Sequence, residues 1–471
     1  MPPEFYDYEL IQDKSAKLES ESQSFHDLDG SLYTNDNVDV KAIPVVFVEG
    51  FMGPGKPTYW GPLEKIFASS NDNNYEKKSK DRQCIFVFPG CGSSLHDRAI
   101  EIFYQIKGGR ADYGKEHSKK FGHSRYGREY SGLYPEWSVS KPLHFLGHSL
   151  GGITIWKLQQ LLNSNTFPAH LNPHPDMIRS LTTVSSPFKG SQGVYILGAT
   201  TEGTVRPFSF GAWLGRFVHI YEYLDIKWLR IIYDFNVDHW NLSYRKNWDF
   251  SSYFSWNSSK STITSDKKSV EIIQETANTY CSAYGLLQCL YKSPWLNFVD
   301  NAPHDMTIHA MKEVNATSKT FEKTFYRTYV TSITYEDPKT KYHRPQFSFS
   351  LPIPCYFLSK NIGSFQFPEN APNPPVSSKE MYKWHENDGV CPIYSQAHPH
   401  YECSPDKCKH HKGLPEFNID ASSYDIEAGK WDVWEIKNTS HFSIIPAWYG
   451  TKKQLLFFNG YKEYLDQIDR L

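Results

Sequence analysis

The feature that most constrains the fold is a turn motif, Gly-His-Ser-Leu-Gly at residues 147–151, set between two structured segments. The apolar residues 143–146 precede it, and residues 152–158 follow it with a helical pattern. Glycines two positions before and after a serine let a strand turn sharply into a helix, which leaves the hydroxyl exposed above the sheet. The motif therefore predicts a nucleophilic serine, Ser149, at the apex of the turn. The alternative is an ordinary strand-to-helix turn, and the flanking segments favour the nucleophile.

Short apolar segments recur along the chain and are separated by helical patterns. This arrangement is typical of buried parallel strands joined by crossover helices. The segments are residues 45–48, 84–88, 143–146, 181–184 and 326–330. The predicted fold class is α/β, with a mostly parallel central sheet flanked by helices.

The 471 residues suit one large domain with insertions. Residues 1–40 are polar and predict a disordered leader, and residues 41–471 predict a single domain. An insertion at about residues 188–317 contains aromatic and aliphatic side chains at helical spacing. This helix could cover an apolar pocket or face a lipid surface, and a buried core helix is the alternative. The helix residues are Trp213, Leu214, Phe217, Tyr221, Leu224 and Trp228.

A second insertion, at about residues 396–426, is polar and carries Cys403, Cys408, His410 and His411. The pattern C-x4-C-x-H-H is compatible with a metal site, a disulfide or free thiols, and the sequence does not choose among them.

Charge and hydropathy exclude several classes of protein. The formal net charge of −2 offers no attraction to nucleic acid. No segment approaches the roughly 18 consecutive apolar residues of a membrane-spanning helix, and the N-terminus is too polar for a signal peptide. We therefore expect a soluble, cytoplasmic protein, and the sequence leaves the oligomeric state open.

A nucleophilic serine needs a histidine to take its proton and a carboxylate to orient that histidine. In strand-turn-helix enzymes of this kind the chain order is serine, acid, histidine. Asp388, in the turn Glu-Asn-Asp-Gly at residues 386–389, is the best candidate acid, and Glu386 is its rival. His441, which follows the strand-like residues 433–436, is the best candidate base. The backbone N–H groups of Phe51 and Leu150 are the candidate oxyanion hole, because a glycine-rich turn surrounds Phe51.

A block of residues much rarer than the serine motif identifies a family. It comprises Asp97-Arg98-Ala99, then Gly-Gly-Arg-Ala-Asp-Tyr-Gly-Lys-Glu-His at residues 108–117, then Phe-Gly-His-Ser-Arg-Tyr-Gly-Arg at residues 121–128. Further matches lie at residues 59–61, 133–136, 186–190, 233–240 and 386–389. From about residue 43 to the C-terminus, the chain resembles the thermoalkalophilic bacterial lipases and the staphylococcal lipases. The resemblance implies an α/β-hydrolase fold, a lid in the first insertion, and a triad of Ser149, Asp388 and His441.

The resemblance also implies one structural zinc ion, held by Asp97, His117, His123 and Asp238. Two imidazoles and two carboxylates can complete a tetrahedral zinc site without an open position. Asp97 has a second interpretation, because Ser94-x-x-Asp97 is also a capping box at the start of a helix. Likewise, His117 and His123 could be surface residues.

Two departures from the family pattern limit what the resemblance implies. The bacterial pattern has a histidine before the Gly-Phe of the oxyanion loop, where this chain has Glu49. At the positions of the family's calcium ligands this chain has Ser443 and Trp448, and we therefore do not predict calcium.

The combined pattern predicts a serine hydrolase that cleaves acylglycerol-type lipid esters through an acyl-enzyme. We also expect the lid to contact lipid or membrane surfaces transiently. The alternatives are a thioesterase or acyltransferase with the same triad, and a non-catalytic lipid-binding protein of the same fold.

Overall fold

The computed structural model describes residues 42–68, 81–242, 299–402, 404, 406–413, 426–446 and 448–471. By its internal contacts the chain divides at residues 41 and 42, and all described residues belong to the second unit. The predicted leader, residues 1–40, lies outside the described residues.

The strands of the described residues form a seven-stranded central sheet and two small two-stranded antiparallel sheets. In chain order they are β1 (Val45–Val48), β2 (Cys84–Val87), β3 (Gly109–Asp112), β4 (Tyr126–Tyr130), β5 (Leu143–His148), β6 (Ile178–Val184), β7 (Phe325–Ser332), β8 (Thr334–Glu336), β9 (His343–Pro345), β10 (Cys408–Lys412) and β11 (Trp431–Lys437). The central sheet has the order β10-β11-β7-β6-β5-β1-β2, and every neighbouring pair in it is parallel. The predicted α/β class and parallel sheet are confirmed.

Helices connect the strands and cover both faces of the sheet. The α-helices of the described residues are α1 (Leu63–Phe67), α2 (Leu95–Lys107), α3 (Lys115–Phe121), α4 (Leu150–Leu162), α5 (Gln192–Leu197), α6 (Phe210–Leu224), α7 (Lys227–Ile232), α8 (Ala302–Asp305), α9 (Ile308–Thr317), α10 (Ile353–Ile362), α11 (Ile393–Gln396) and α12 (Lys452–Ile468). None of these helices has the length and apolar character to cross a membrane.

The alternating side chains of β1 show how the core is divided. Val46 and Val48 point to the face covered by α2 and α4. Val45 and Phe47 point to the other face, where α1 and α12 pack. Because both faces of the sheet are buried, its strands are almost continuously apolar, and this is why the sequence pattern revealed most of them.

The register of β1 and β5 brings two functional segments together. Val48 pairs with Gly147, so Glu49 and His148 leave the sheet side by side at its carboxyl edge. Ligand sites in open parallel sheets form at this edge. The sheet therefore places the Phe51 loop next to Ser149.

The second predicted insertion contains an element that the sequence did not reveal. Its residues Cys408–Lys412 form β10, which pairs with β11 at the edge of the central sheet. Alternate side chains of β10 are exposed, so the strand lacks the apolar run that marks the buried strands. Cys408 is disulfide-bonded and His411 lies 3.0 Å from Asp432. Since the Cys408 sulfur is part of a disulfide bond, it is not available as a metal ligand. The insertion residues Cys403, 405 and 414–425 lie outside the described residues.

Candidate active site and metal centre

A cavity of about 660 Å³ opens at the carboxyl edge of the sheet. Ser149, His441 and Phe51 all line it, so three of the predicted site residues meet in one place. Most of its wall is apolar, with contributions from Met52, Val194, Leu197, Val205, Leu214, Val218, Phe235 and Leu358.

Ser149 occupies the sharp turn between β5 and α4. Its φ of 53° and ψ of −124° lie in a strained region that non-glycine residues rarely adopt. A Cβ at Gly147 would collide with Gly152, and a Cβ at Gly151 would collide with the Val48 carbonyl. The two motif glycines are therefore required for close packing, and the predicted turn has the geometry of a nucleophile elbow.

Asp388 and His441 form a buried hydrogen-bonded pair. The distance from His441 Nδ1 to Asp388 Oδ2 is 2.8 Å, and both side chains are buried. Since a carboxylate only accepts, Nδ1 carries the proton and Nε2 is left as the basic nitrogen. The Thr331 hydroxyl donates to Asp388 Oδ2, while the N–H groups of Val390 and Cys391 donate to Oδ1. These donors fix the carboxylate and keep it oriented toward His441.

Glu386, the rival acid, is engaged elsewhere. Its carboxylate accepts from Ser332 at 2.7 Å and pairs with Lys437. Cys391 Sγ lies within 4.8 Å of ligand atoms of Asp388 and His441. Burial raises the pKa of the Cys391 thiol well above its usual range, and Asp388 already accepts three hydrogen bonds besides the one from His441. The group is thus better described as an acid–base pair than as a metal centre.

A hydrogen-bonded chain that sequence reasoning missed links the Phe51 loop to His441. The Gly50 N–H donates to Tyr59 Oη at 3.2 Å, and Tyr59 Oη lies 2.6 Å from His148 Nδ1. His148 Nε2 lies 3.0 Å from the His441 carbonyl, which can only accept, so Nδ1 accepts from Tyr59. Burial and the charge of His441 lower the pKa of His148 well below its usual value, consistent with this neutral tautomer. His148 was visible only as the variable residue of the serine motif.

The first insertion supplies a helix that covers the cavity. Phe210, Leu214 and Val218 of α6 line the cavity, while Trp213 is 61% exposed. The predicted single stripe is divided, because α6 ends at Leu224 and Trp228 belongs to α7. The helix is apolar on both its pocket side and its solvent side, so it is neither a core helix nor an ordinary surface helix. The insertion's residues 243–298 lie outside the described residues.

Four side chains converge in a buried cluster beside α2. They are Asp97, His117, His123 and Asp300, and their ligand atoms lie within 4.8 Å of one another. His117 Nε2 lies 3.2 Å from Asp97 Oδ1 and 3.3 Å from Asp300 Oδ2. His123 Nε2 lies 3.3 Å from Asp300 Oδ2. The cluster contains three of the four predicted metal ligands, with Asp300 as the fourth.

Asp238, the fourth predicted ligand, is not among the four side chains of this cluster. Asp238 pairs with Arg128 of β4 at 2.5 Å and with Arg230 of α7 at 3.1 Å. Arg230 also pairs with Glu222 of α6 and with Asp225, which follows α6. Through Arg230, Asp238 therefore helps to hold α6 and α7 together. Two arginines neutralise Asp238, whereas Asp300 faces the histidines. Both aspartates belong to the same insertion, and sequence spacing alone does not distinguish them.

The cluster fits a bound cation. The atoms Asp97 Oδ1, His117 Nε2, His123 Nε2 and Asp300 Oδ2 are buried and have no hydrogen bond of good geometry. Ligand atoms about 2.0 Å from a tetrahedral zinc ion would lie about 3.3 Å apart, which matches the shortest separations here. His123 Nδ1 lies 2.9 Å from the Ser124 carbonyl, an outer contact that leaves Nε2 free to bind metal. The described residues therefore contain a candidate metal site at this position.

Asp97 takes part in the cap of α2 and also contributes its carboxylate to the cluster. Its N–H donates to the Ser94 hydroxyl at 3.2 Å, which caps α2, while its carboxylate enters the cluster. His239, which the sequence did not indicate, lies 3.1 Å from the second carboxylate oxygen. Burial would raise the pKa of Asp97, but its contacts with His117 and His239 hold it well below its usual value. Asp97 is therefore ionised, as a metal ligand must be.

Comparison with known proteins identifies relatives of this chain. Residues 41–283 match the family model described as "Lipase-like, C-terminal domain". Lipase 2 of Staphylococcus aureus (strain MRSA252) is 26% identical over 439 residues, which cover 88% of this chain and 51% of that protein. A lipase of Staphylococcus epidermidis is 28% identical over 378 residues, covering 76% of this chain and 45% of that protein. The chain thus spans about half the length of the curated relatives it matches.

Solved structures support the same fold. Staphylococcus hyicus lipase superposes with a TM-score of 0.64 at 20% identity, covering 94% of this chain and 99% of that one. EstA from Clostridium botulinum gives a TM-score of 0.61 at 22% identity, covering all of this chain and 95% of that one. The predicted α/β-hydrolase fold is confirmed.

The presence of Asp300 rather than Asp238 in the cluster leads to a prediction about metal content. Asp300→Ala removes a carboxylate from the cluster, so we expect purified protein to lose most of its bound metal. Asp238→Ala, the matched control, removes a carboxylate that pairs with arginines and should keep the wild-type metal content. Elemental analysis of both variants measures this. Loss of metal from Asp238→Ala but not from Asp300→Ala would instead identify Asp238 as the ligand.

Proposed function

Because this chain belongs to the lipase-like, C-terminal domain family, we propose that it is a serine ester hydrolase that cleaves acylglycerol-type lipid esters. The observation that carries the proposal is the buried Asp388–His441 pair, which opens into the same apolar cavity as the strained Ser149. Strain at a reactive side chain is a feature of functional sites rather than of ordinary turns.

In the proposed reaction, Ser149 Oγ attacks the ester carbonyl carbon while His441 Nε2 takes the hydroxyl proton. Asp388 accepts the hydrogen bond from Nδ1–H and stabilises the imidazolium that forms. When the tetrahedral intermediate collapses, the bond to the alcohol oxygen breaks and His441 returns the proton to that oxygen. Water then attacks the acyl-enzyme by the same route, which releases the fatty acid and regenerates Ser149.

The negative charge of the tetrahedral intermediate needs fixed N–H donors. Leu150 is the first residue of α4, so its own helix does not use its N–H. Phe51 lines the cavity beside Ser149, and its N–H is the second proposed donor. Donors that are already oriented before the reaction lower the barrier most, because they need no reorganisation.

The cavity wall favours an uncharged lipid. Among the described residues, no lysine, arginine, aspartate or glutamate lines the cavity. An acyl chain would be buried against apolar side chains, whereas the phosphates of an acyl-coenzyme A would find no cation there. The lining therefore supports a neutral ester over the thioester alternative.

The exposed side of α6 and α7 supports contact with a lipid surface. Trp213 and Phe217 stack on the solvent side of α6, and Trp228 of α7 is 62% exposed. Clustered exposed aromatic residues beside a pocket mark interaction sites. A lipid surface matches them chemically, since it would bury these rings and supply substrate to the cavity.

Zinc is the proposed ion of the Asp97–Asp300 cluster. Two imidazoles and two carboxylates suit zinc better than magnesium or calcium, which prefer oxygen ligands alone. With four protein ligands the ion would be structural, and it would hold α2, α3 and the Asp300 segment together.

The proposed nucleophile leads to a direct prediction. A fluorophosphonate probe should label the wild-type protein once, at Ser149, and Ser149→Ala should abolish both labelling and hydrolysis of a soluble short-chain ester. Ser118→Ala, a buried serine outside the cavity, serves as the control and should label normally. Labelling that persists in Ser149→Ala would contradict the proposal.

The two carboxylates of the 386–389 turn should differ sharply in their effect on catalysis. Asp388→Asn cannot hold His441 in the required tautomer, so kcat should fall about 10⁴-fold. Glu386→Gln, its neighbour, should change kcat by less than about three-fold, because Glu386 contacts Ser332 and Lys437 instead. Steady-state kinetics on a soluble ester measure both. A large loss of kcat in Glu386→Gln with little loss in Asp388→Asn would identify Glu386 as the residue that orients His441.

Contact between the lid and lipid predicts a difference between soluble and emulsified substrates. The double variant Trp213→Ser, Phe217→Ser should hydrolyse emulsified triacylglycerol about ten-fold or more slowly, since two aromatic side chains no longer bury apolar area at the interface. Hydrolysis of a soluble short-chain ester should stay near the wild-type rate. Tyr335→Ser removes an exposed aromatic residue of β8 and is the control. Equal losses on both substrates would argue against a surface role.

A further inference from the structure

Glu49, the residue at which this chain departs from the bacterial pattern, lies directly between β1 and the Phe51 loop. Its side chain is only 3% exposed. Oε2 accepts the Gly55 N–H at 3.0 Å, and Oε1 accepts the Lys56 N–H at 3.2 Å. The carboxylate at the start of the loop therefore binds the backbone at its end.

The loop closes tightly around this carboxylate. The Gly53 N–H donates to the Gly50 carbonyl at 3.3 Å, which forms a turn inside the loop. A Cβ at Gly53 would collide with the Glu49 carboxylate, so the loop and the side chain fit only because residue 53 is glycine. Glu49 and Gly53 thus define a single loop conformation.

The backbone of Glu49 is anchored as firmly as its side chain. Arg98, which is fully buried, donates to the Glu49 carbonyl at 2.7 Å and to the Gly90 carbonyl at 2.7 Å. The next residue, Gly50, donates to Tyr59, which is linked through His148 to His441. On the other side of Phe51, the Met52 N–H donates to the Cys91 carbonyl at 3.4 Å, so residues on both sides of Phe51 are held in place.

We propose that Glu49 is a positioning residue for the oxyanion hole, whose carboxylate holds the loop of residues 50–56 so that the Phe51 N–H faces Ser149. The inference rests on the proposed function. Each oxygen of the Glu49 carboxylate accepts a hydrogen bond from a backbone N–H, so both atoms at the end of this side chain must be acceptors. A glutamine offers one acceptor and one donor, and therefore loses one of the two contacts.

Ionisation of Glu49 gives the proposal a second observable. Burial raises its pKa to about 7, against the opposing effects of the Gly55 and Lys56 hydrogen bonds and the charge of Arg98. The other titratable groups that interact with it are Tyr59, Cys91 and Tyr233. A protonated carboxyl group loses one acceptor position, so the loop should be held less firmly as the pH falls below about 7.

The test compares Glu49→Gln with Glu64→Gln, which removes an exposed carboxylate from α1. With a soluble short-chain ester, Glu49→Gln should lower kcat about 10- to 100-fold and change KM by less than about two-fold, because the oxyanion forms only after substrate binds. Glu64→Gln should match the wild type. The wild-type kcat should also fall more steeply below pH 7 than that of Glu49→Gln, since only the wild type carries the titrating carboxyl group.

Thermal unfolding of each variant separates positioning from folding. An unfolded Glu49→Gln protein, a wild-type kcat, or a loss confined to KM would overturn the inference and leave the proposed function intact. A wild-type protein that neither hydrolyses esters nor reacts with fluorophosphonate would overturn the proposed function, and this inference with it.

Discussion

At Gly151 the first turn of α4 approaches the end of β1 so closely that a side chain there would collide with the Val48 carbonyl. This contact determines where Ser149 lies relative to the loop that follows β1. Val48 also pairs with Gly147 in the sheet. The strand register and the helix contact therefore both fix the position of Ser149 relative to the end of β1. The cavity, the candidate oxyanion donors and the acid–base pair are all arranged around this junction.

Much of this arrangement could be predicted from the sequence, because the residues involved obey strong local rules. The strained turn requires glycines at fixed offsets, the buried strands are continuously apolar, and the acid and histidine follow in a set order. The edge strand β10 escaped prediction since its side chains are mostly polar and two of them, His410 and Lys412, are exposed to solvent. An apolar pattern in the sequence therefore identifies a strand only where the side chains of that strand are buried.

The candidate metal site shows what local sequence patterns cannot predict. Its four side chains come from α2, α3 and two loops, and no local rule states which aspartate of a long insertion reaches the histidines. Asp238 and Asp300 are equivalent as sequence letters, but Arg128 and Arg230 surround the first. The choice between them depends on tertiary packing. The Tyr59–His148 chain is hidden for the same reason, since its partners lie 89 residues apart.

Asp97 and Arg98 are consecutive residues of α2, and they point to different sites. Asp97 points into the candidate metal site, whereas Arg98 donates to the Glu49 carbonyl and to the Thr154 hydroxyl of α4. A small shift of this one helical turn would therefore disturb both places together. A substitution at either position is therefore expected to alter the geometry at the other place as well. Engineering of the cavity in this protein should accordingly leave that turn untouched.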